Sequence, residues 1–162
     1  MSRFLFLPIV ALLLSTATAA QARNAVVGTW EIVSAKANLN GTSRNLFGPR
    51  PSGQLVFTKE MRFAVVINDP GVPRFASEDR AQGTAEENSA ATAGALALYG
   101  TYTVDADGRF ASEHVAGSTF PNWNELDRST ATLTESVEGD RMVEHLHDPG
   151  GPTIEILWRR VH

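Results

Sequence analysis

Val26-Val27-Gly28-Thr29-Trp30-Glu31-Ile32-Val33-Ser34-Ala35-Lys36 places Gly28, Trp30, Ile32 and Ser34 on one side and Val27, Thr29, Glu31 and Val33 on the other. Successive side chains of an extended backbone point to opposite faces, so this period of two predicts a first strand. Asn40-Gly41 follows, a pair that tolerates positive φ, and predicts a tight turn. Asn40-Gly41-Thr42 also matches a glycosylation sequon, but the turn is the better reading.

The same pattern recurs downstream. Gly53 to Thr58 and Met61 to Asn68 are rich in Val, Phe, Leu and Ile and are split by Lys59-Glu60, which predicts a hairpin. Asp69-Pro70-Gly71-Val72-Pro73-Arg74-Phe75 breaks all periodicity, since each proline fixes φ and lacks an amide donor. Thr84-Ala85-Glu86-Glu87 is a capping box and predicts a helix running to about Leu98, with a small apolar stripe at Ala91, Ala95, Leu98 and Tyr99. Strands then follow over Tyr99 to Asp105, Arg109 to Gly117, Thr130 to Ser136, Arg141 to His147 and Thr153 to Val161. Turns at Asp107-Gly108 and Glu138-Gly139-Asp140 and the breaker Asp148-Pro149-Gly150-Gly151-Pro152 separate several of them. About eight strands with hairpin turns and one short helix, between the third and fourth strands, predict an all-β, antiparallel up-and-down barrel, because closure removes exposed edges.

The first 22 residues read differently. Met1-Ser2-Arg3, an apolar run from Phe4 to Leu14 and small residues ending in Ala20-Gln21-Ala22 form a secretory signal with an A-x-A cleavage site after Ala22. The apolar run is about half the roughly 20 residues needed to cross a bilayer. Residues 23–162 then make one domain, and export to a periplasm or secreted fluid is expected. The chain has no cysteine, so neither a disulfide framework nor a lipidated Cys anchor is available and core packing must supply the stability. A formal net charge of −4, with both signs interleaved, leaves no electrostatic footprint for nucleic acid or for an anionic membrane.

Taken together, the pieces resemble the bacterial lipocalin-like domain proteins, within the lipocalin or calycin group. The resemblance runs from about Val27 to Val161 and is carried by Val27 to Ser34, Phe47-Gly48-Pro49 with Gly53, Pro73-Arg74-Phe75 with Asp79, Tyr99-Gly100-Thr101-Tyr102, His114-Val115, Phe120-Pro121-Asn122-Trp123 and Ile156 to Val161. It implies an eight-stranded barrel with a ligand-sized interior. It also implies that the Gly28-Thr29-Trp30 tryptophan packs beneath the barrel near an arginine of the last strand. Alternation puts Ile156, Trp158 and Arg160 on one face, so Arg160 is expected on Trp30 through a cation–π contact. Gly28, Trp30, Trp158 and Arg160 are thus the expected closure of the barrel base.

Several residues are candidates for function. His114 sits in mid-strand on the side of Phe110 and Ser112, where an inward imidazole reads first as a core histidine satisfied by a neighbouring hydroxyl or carbonyl, and otherwise could hydrogen-bond a ligand or move a proton. Phe120-Pro121-Asn122-Trp123 joins a rigid bend, an amide and two aromatic faces, which suits the rim of an apolar pocket or a loop plug. Arg74 could clamp a carboxylate or pair with Glu78 or Asp79. His145 and His147 share one strand face, with Asp148 next, as in some zinc sites; Met142 and Leu146 claim the core, however, so a solvated face is expected and no metal.

No Cys nucleophile, Gly-x-Ser-x-Gly elbow, phosphate loop or dinucleotide fingerprint is present, so no cofactor is expected. The leading expectation is an exported barrel binding a small, largely hydrophobic molecule against Phe63, Tyr102, Phe120 and Trp123, oriented by His114, Asn122 or Arg74. A second is a cofactor-free isomerase, cyclase or lyase with His114 as acid or base and Tyr102 or Asn122 polarising a carbonyl. A third is a solid-core periplasmic interaction protein that works through its loops.

Overall fold

A computed structural model describes residues 23–147 and 149–162; the expected signal, residues 1–22, and Asp148 lie outside the described residues. The strands are β1 (Gly28–Leu39), β2 (Thr42–Asn45), β3 (Ser52–Phe57), β4 (Arg62–Asn68), β5 (Ala95–Val104), β6 (Phe110–Ser118), β7 (Leu126–Ser129), β8 (Leu133–Glu138), β9 (Arg141–His147) and β10 (Thr153–Val161). Among the described residues one α-helix, α1 (Ala85–Ala93), lies between β4 and β5.

All strand pairs are antiparallel, in the ladder order β7-β6-β5-β4-β3-β1-β10-β9-β8, with β2 folded onto β1. First and last strands pair along most of their length, from Thr29↔Val161 to Asn38↔Thr153, and this bends the sheet into a nearly closed barrel. No ladder joins β7 to β8 among the described residues.

Among the described residues ten strands therefore stand where eight were expected. The two additional ones, β2 and β7, have four residues each and show no alternation long enough to be read. Because β2 precedes the β3–β4 hairpin, the helix falls between β4 and β5 rather than between strands three and four. Asn40 (φ 51) and Gly41 (φ 80) form the expected positive-φ turn and set the β1–β2 register.

The capping box forms as read: Glu87 N donates to Thr84 Oγ1 and Thr84 N donates to Glu87 Oε2. The helix stops at Ala93, with Gly94 as its C-cap, and not at Leu98. Ala95, Leu98 and Tyr99 belong to β5 instead, where Leu98 is buried and Tyr99 exposed. Burial of Leu98 in the barrel outweighs the weak stripe, and none of the residues of α1 is buried.

Bulges shift which side chains face inward. In β1 the register slips at Val33, so Trp30 and Ile32 face in, and then Ala35 and Ala37 rather than Ser34. In β6 the register slips at Ala111. Phe110 faces in above the slip, and Glu113 and Val115 face in beyond it. The core is one continuous cluster that includes Trp30, Phe57, Phe63, Ile67, Tyr102 and Trp158.

Candidate functional site

The two ends of the barrel differ. At the base, the segment entering β1 runs across the opening: Ala25 N donates to Gly108 O, and Trp30 Nε1 donates to Val26 O at 2.8 Å. Arg160 lies over the Trp30 ring, 3.9 Å from its centroid, and donates from Nη1 to Val27 O and from Nη2 to Ala25 O. Gly28 has φ 140, and a Cβ there would stand 2.6 Å from Arg160 Nη1, so the position needs a residue without one. Tyr102 completes the floor. Its ring packs edge-on to Phe57 and its hydroxyl donates to Thr58 O at 2.7 Å while accepting from Asn24 Nδ2.

Above this floor lies an interior cavity of about 80 Å³. One wall is apolar and is built by Phe57, Phe63, Val65 and Ile67 from β3 and β4 and Leu98 from β5, all inward positions of alternating strands. Phe47 and Trp123 line the upper part of the space. Phe47 holds a left-handed backbone (φ 55), a conformation costly for a bulky residue.

The opposite wall is ionisable. It takes Glu113 from β6, Arg128 from β7, Glu135 from β8 and Glu144 from β9. Glu113 and Arg128 are cross-strand partners joined at 2.7 Å through Arg128 Nη1 and Glu113 Oε1, with side chains only 6% and 5% exposed. Arg128 also lies 4.4 Å from the centroid of the Trp123 ring. Glu135 and Glu144 are cross-strand partners in turn, and Glu144 Oε2 accepts from Trp158 Nε1 at 3.0 Å. Arg128 Nε, Arg128 Nη2 and Glu135 Oε2 are sealed from solvent and lack a partner among the described residues.

Burial dominates the protonation of this wall. It pushes the Glu144 carboxyl up to about 7, helped by the charge of Glu113 and opposed by the Trp158 hydrogen bond and by Arg128. Burial, with the charges of Glu144 and Glu113, holds Glu135 well above the usual carboxylate range. Glu113 is raised by burial as well, against the hydrogen bond and charge of Arg128. Two carboxylates directly opposite each other repel, so the Glu135–Glu144 pair favours keeping a proton near neutral pH.

The expected site residues divide between inside and outside. Phe63 and Trp123 line the cavity. Tyr102 is buried but belongs to the floor, its hydroxyl engaged below. His114 faces outward, with its Nδ1 2.8 Å from Asp127 Oδ1 and its side chain 39% exposed, because the bulge at Ala111 puts Glu113 inward in its place. Asn122 is exposed, and Phe120, also exposed, packs edge-on against Trp123. Arg74 is exposed on its loop, while Asp79 caps the 3₁₀ turn Arg80–Gln82.

Trp158 lines the cavity and holds Glu144, whereas Gly28, Trp30 and Arg160 make the base. His145 and His147 are exposed, beside Glu155 and Thr153 respectively. The ionisable wall was missed because charged residues are read as solvated. A signal was present in Met142-x-Glu144-x-Leu146, where Glu144 shares the face of two core residues.

Among solved structures, a de novo designed fluorescence-activating β-barrel is similar at 12% identity, over 88% of this chain and 100% of that one, with a TM-score of 0.42. A biogenic amine-binding protein is similar at 12% identity, over 90% and 71% of the two chains, with a TM-score of 0.41. The tryptamine complex of the amine-binding protein of Rhodnius prolixus is similar at 14% identity, over 90% and 70%, with a TM-score of 0.41. No curated protein matches. The family model described as a lipocalin-like domain matches residues 27–153, so the chain belongs to the lipocalin-like domain family.

Proposed function

We propose that this barrel is a binding protein for a small, largely hydrophobic molecule held in its interior. The observation that carries the reading is the cavity of about 80 Å³ with one apolar wall and, facing it, buried polar atoms that have no partner among the described residues. Unpaired buried donors and acceptors cost free energy, so side chains that line the cavity and carry such atoms are suited to an occupant that supplies the missing bonds. At roughly 10–15 Å³ per enclosed water, the space holds several waters or one compact organic group. A longer ligand would extend past Phe47 and Trp123. An acid–base role for His114 within the interior has no geometric support, since that imidazole points away from the cavity.

The test is native mass spectrometry of protein isolated from its own compartment, paired with titration of Trp123 and Trp158 fluorescence by small aromatic compounds. A co-purifying small molecule, or saturable fluorescence changes removed by Phe63→Trp, supports binding. Absence of both returns the protein to the solid-core interaction reading. We also propose export, on the strength of the signal over residues 1–22. Intact-mass measurement of periplasmic or secreted protein beginning at Arg23 is the expected result, and a chain that retains Phe4 to Leu14 would retire the idea.

A further inference from the structure

Interior binding does not by itself say which polar group the ligand carries, and any assignment of that group rests on interior binding being correct. Arg128 is the most constrained group in the wall. Its side chain is 5% exposed, its Nη1 is committed to Glu113 at 2.7 Å, and its guanidinium lies 4.4 Å from the Trp123 ring centroid. Its two other nitrogens, Nε and Nη2, are sealed from water and unpartnered among the described residues. The N–H bonds of Nε and Nη2 run side by side along one edge of the guanidinium. Their spacing matches the two oxygens of a carboxylate.

We propose that the ligand is an apolar carboxylic acid, bound through its carboxylate to the Nε–Nη2 edge of Arg128 with its body against Phe63, Ile67, Leu98 and Ile156. A carboxylate accepts one hydrogen from each of these two nitrogens at once, whereas an amine brings further donors to an edge that already has too many. Glu135 Oε2 is the third orphaned atom, and a protonated Glu135 would present a further O–H to the same acceptor.

The groups facing this position are Glu113 on β6, Arg128 on β7, Glu135 on β8, Glu144 on β9 and the Trp158 indole on β10. Glu113 and Arg128 cancel. Glu135, held well above the usual range, and Glu144, pushed up to about 7, carry no charge while protonated, so the wall tolerates an anion in mildly acid solution. As pH rises through 7, Glu144 ionises and repels it. Carboxylate affinity should therefore fall with rising pH, and a cation would show the opposite trend.

The experiment is calorimetric titration of the folded protein with 3-phenylpropionate, 3-phenylpropan-1-ol and 3-phenylpropylamine, three probes with one body and different heads, at pH 6 and pH 8. The carboxylate is expected to bind roughly tenfold tighter than the other two at pH 6 and to lose several-fold of its affinity at pH 8. Arg128→Lys keeps the charge without the paired edge and should remove most of the advantage of the carboxylate over the alcohol. If Arg128→Lys does not fold, the three probes at two pH values still decide. Amine or alcohol binding as tight as the carboxylate overturns the carboxylate proposal and leaves interior binding standing. No binding by any probe, together with no co-purifying molecule, overturns both.

Discussion

Arg160 is 3.9 Å from the Trp30 ring centroid and hydrogen-bonds the carbonyls of Ala25 and Val27, so a single side chain of the last strand fastens the segment leading into β1 across the barrel base. A cation–π contact of this kind contributes about 0.5–2 kcal/mol, and each hydrogen bond about 1 kcal/mol. Arg160→Met should therefore lower stability by about 2–4 kcal/mol in urea unfolding, with Arg160→Lys in between. A loss under about 0.5 kcal/mol would mean that the other contacts of the base hold it without Arg160.

Glu113 and Arg128 should be strongly non-additive. Removing one partner leaves the other buried and charged, a loss of about 3–5 kcal/mol, whereas removing both as Glu113→Gln/Arg128→Met should cost much less than the sum of the single changes. A double-mutant cycle by chemical denaturation measures the coupling. Additive single losses would show that the pair is solvated in solution.

The raised Glu144 carboxyl has a stability consequence of definite sign. Its folded-state pKa, about 7, exceeds its ordinary value of 4.5, so the folded state favours the protonated form. Its contribution is fully present below pH 4.5 and is lost as pH rises to about 7, amounting to roughly 3 kcal/mol at most. Glu144→Gln keeps an acceptor for Trp158 and should flatten the difference in stability between pH 5 and pH 8. An unchanged pH profile in the variant would assign the proton elsewhere.

How far the residues themselves disclosed all this depends on the local signal. The strand pattern, the Asn40-Gly41 turn and the capping box at Thr84 were legible because each is a short-range pattern with a direct physical meaning, whereas the Trp30–Arg160 base was implied by the family resemblance, with strand alternation selecting Arg160. The interior wall was not, for two reasons. A single extra residue at Ala111 exchanged His114 for Glu113, and nothing in Phe110-Ala111-Ser112-Glu113-His114 marks a bulge, which depends on the partner strand. Arg128 and Glu135 find their surroundings only when β7 and β8 are brought beside β6 and β9, a tertiary fact that short-range periodicity does not contain.

Thr84→Ala should loosen α1 without unfolding the barrel. The change removes the Thr84 Oγ1 acceptor, typically worth about 1 kcal/mol, but no residue of α1 is buried. Faster amide exchange at Glu87 and Asn88, with an unchanged global midpoint, is expected. A cooperative loss of the whole fold would show that the helix is part of the core.

His114→Ala should leave both binding and stability nearly untouched. Its partners Asp127 and Glu125 are exposed, and surface pairs contribute about 0–1 kcal/mol. Probe affinities within about twofold of wild type are expected. A tenfold loss would bring the imidazole into contact with the ligand after all.

The unladdered line between β7 and β8 bears on how the protein lives among copies of itself. A sheet that stops short of full closure keeps two free edges, and free edges invite pairing with another chain. Here one edge has only four residues, with Asp127 exposed beside buried Arg128, and the other ends in the exposed Glu138. Short, charge-bearing edges make poor templates for a foreign strand. The barrel can thus remain unsealed at one line and still be guarded against edge-to-edge aggregation.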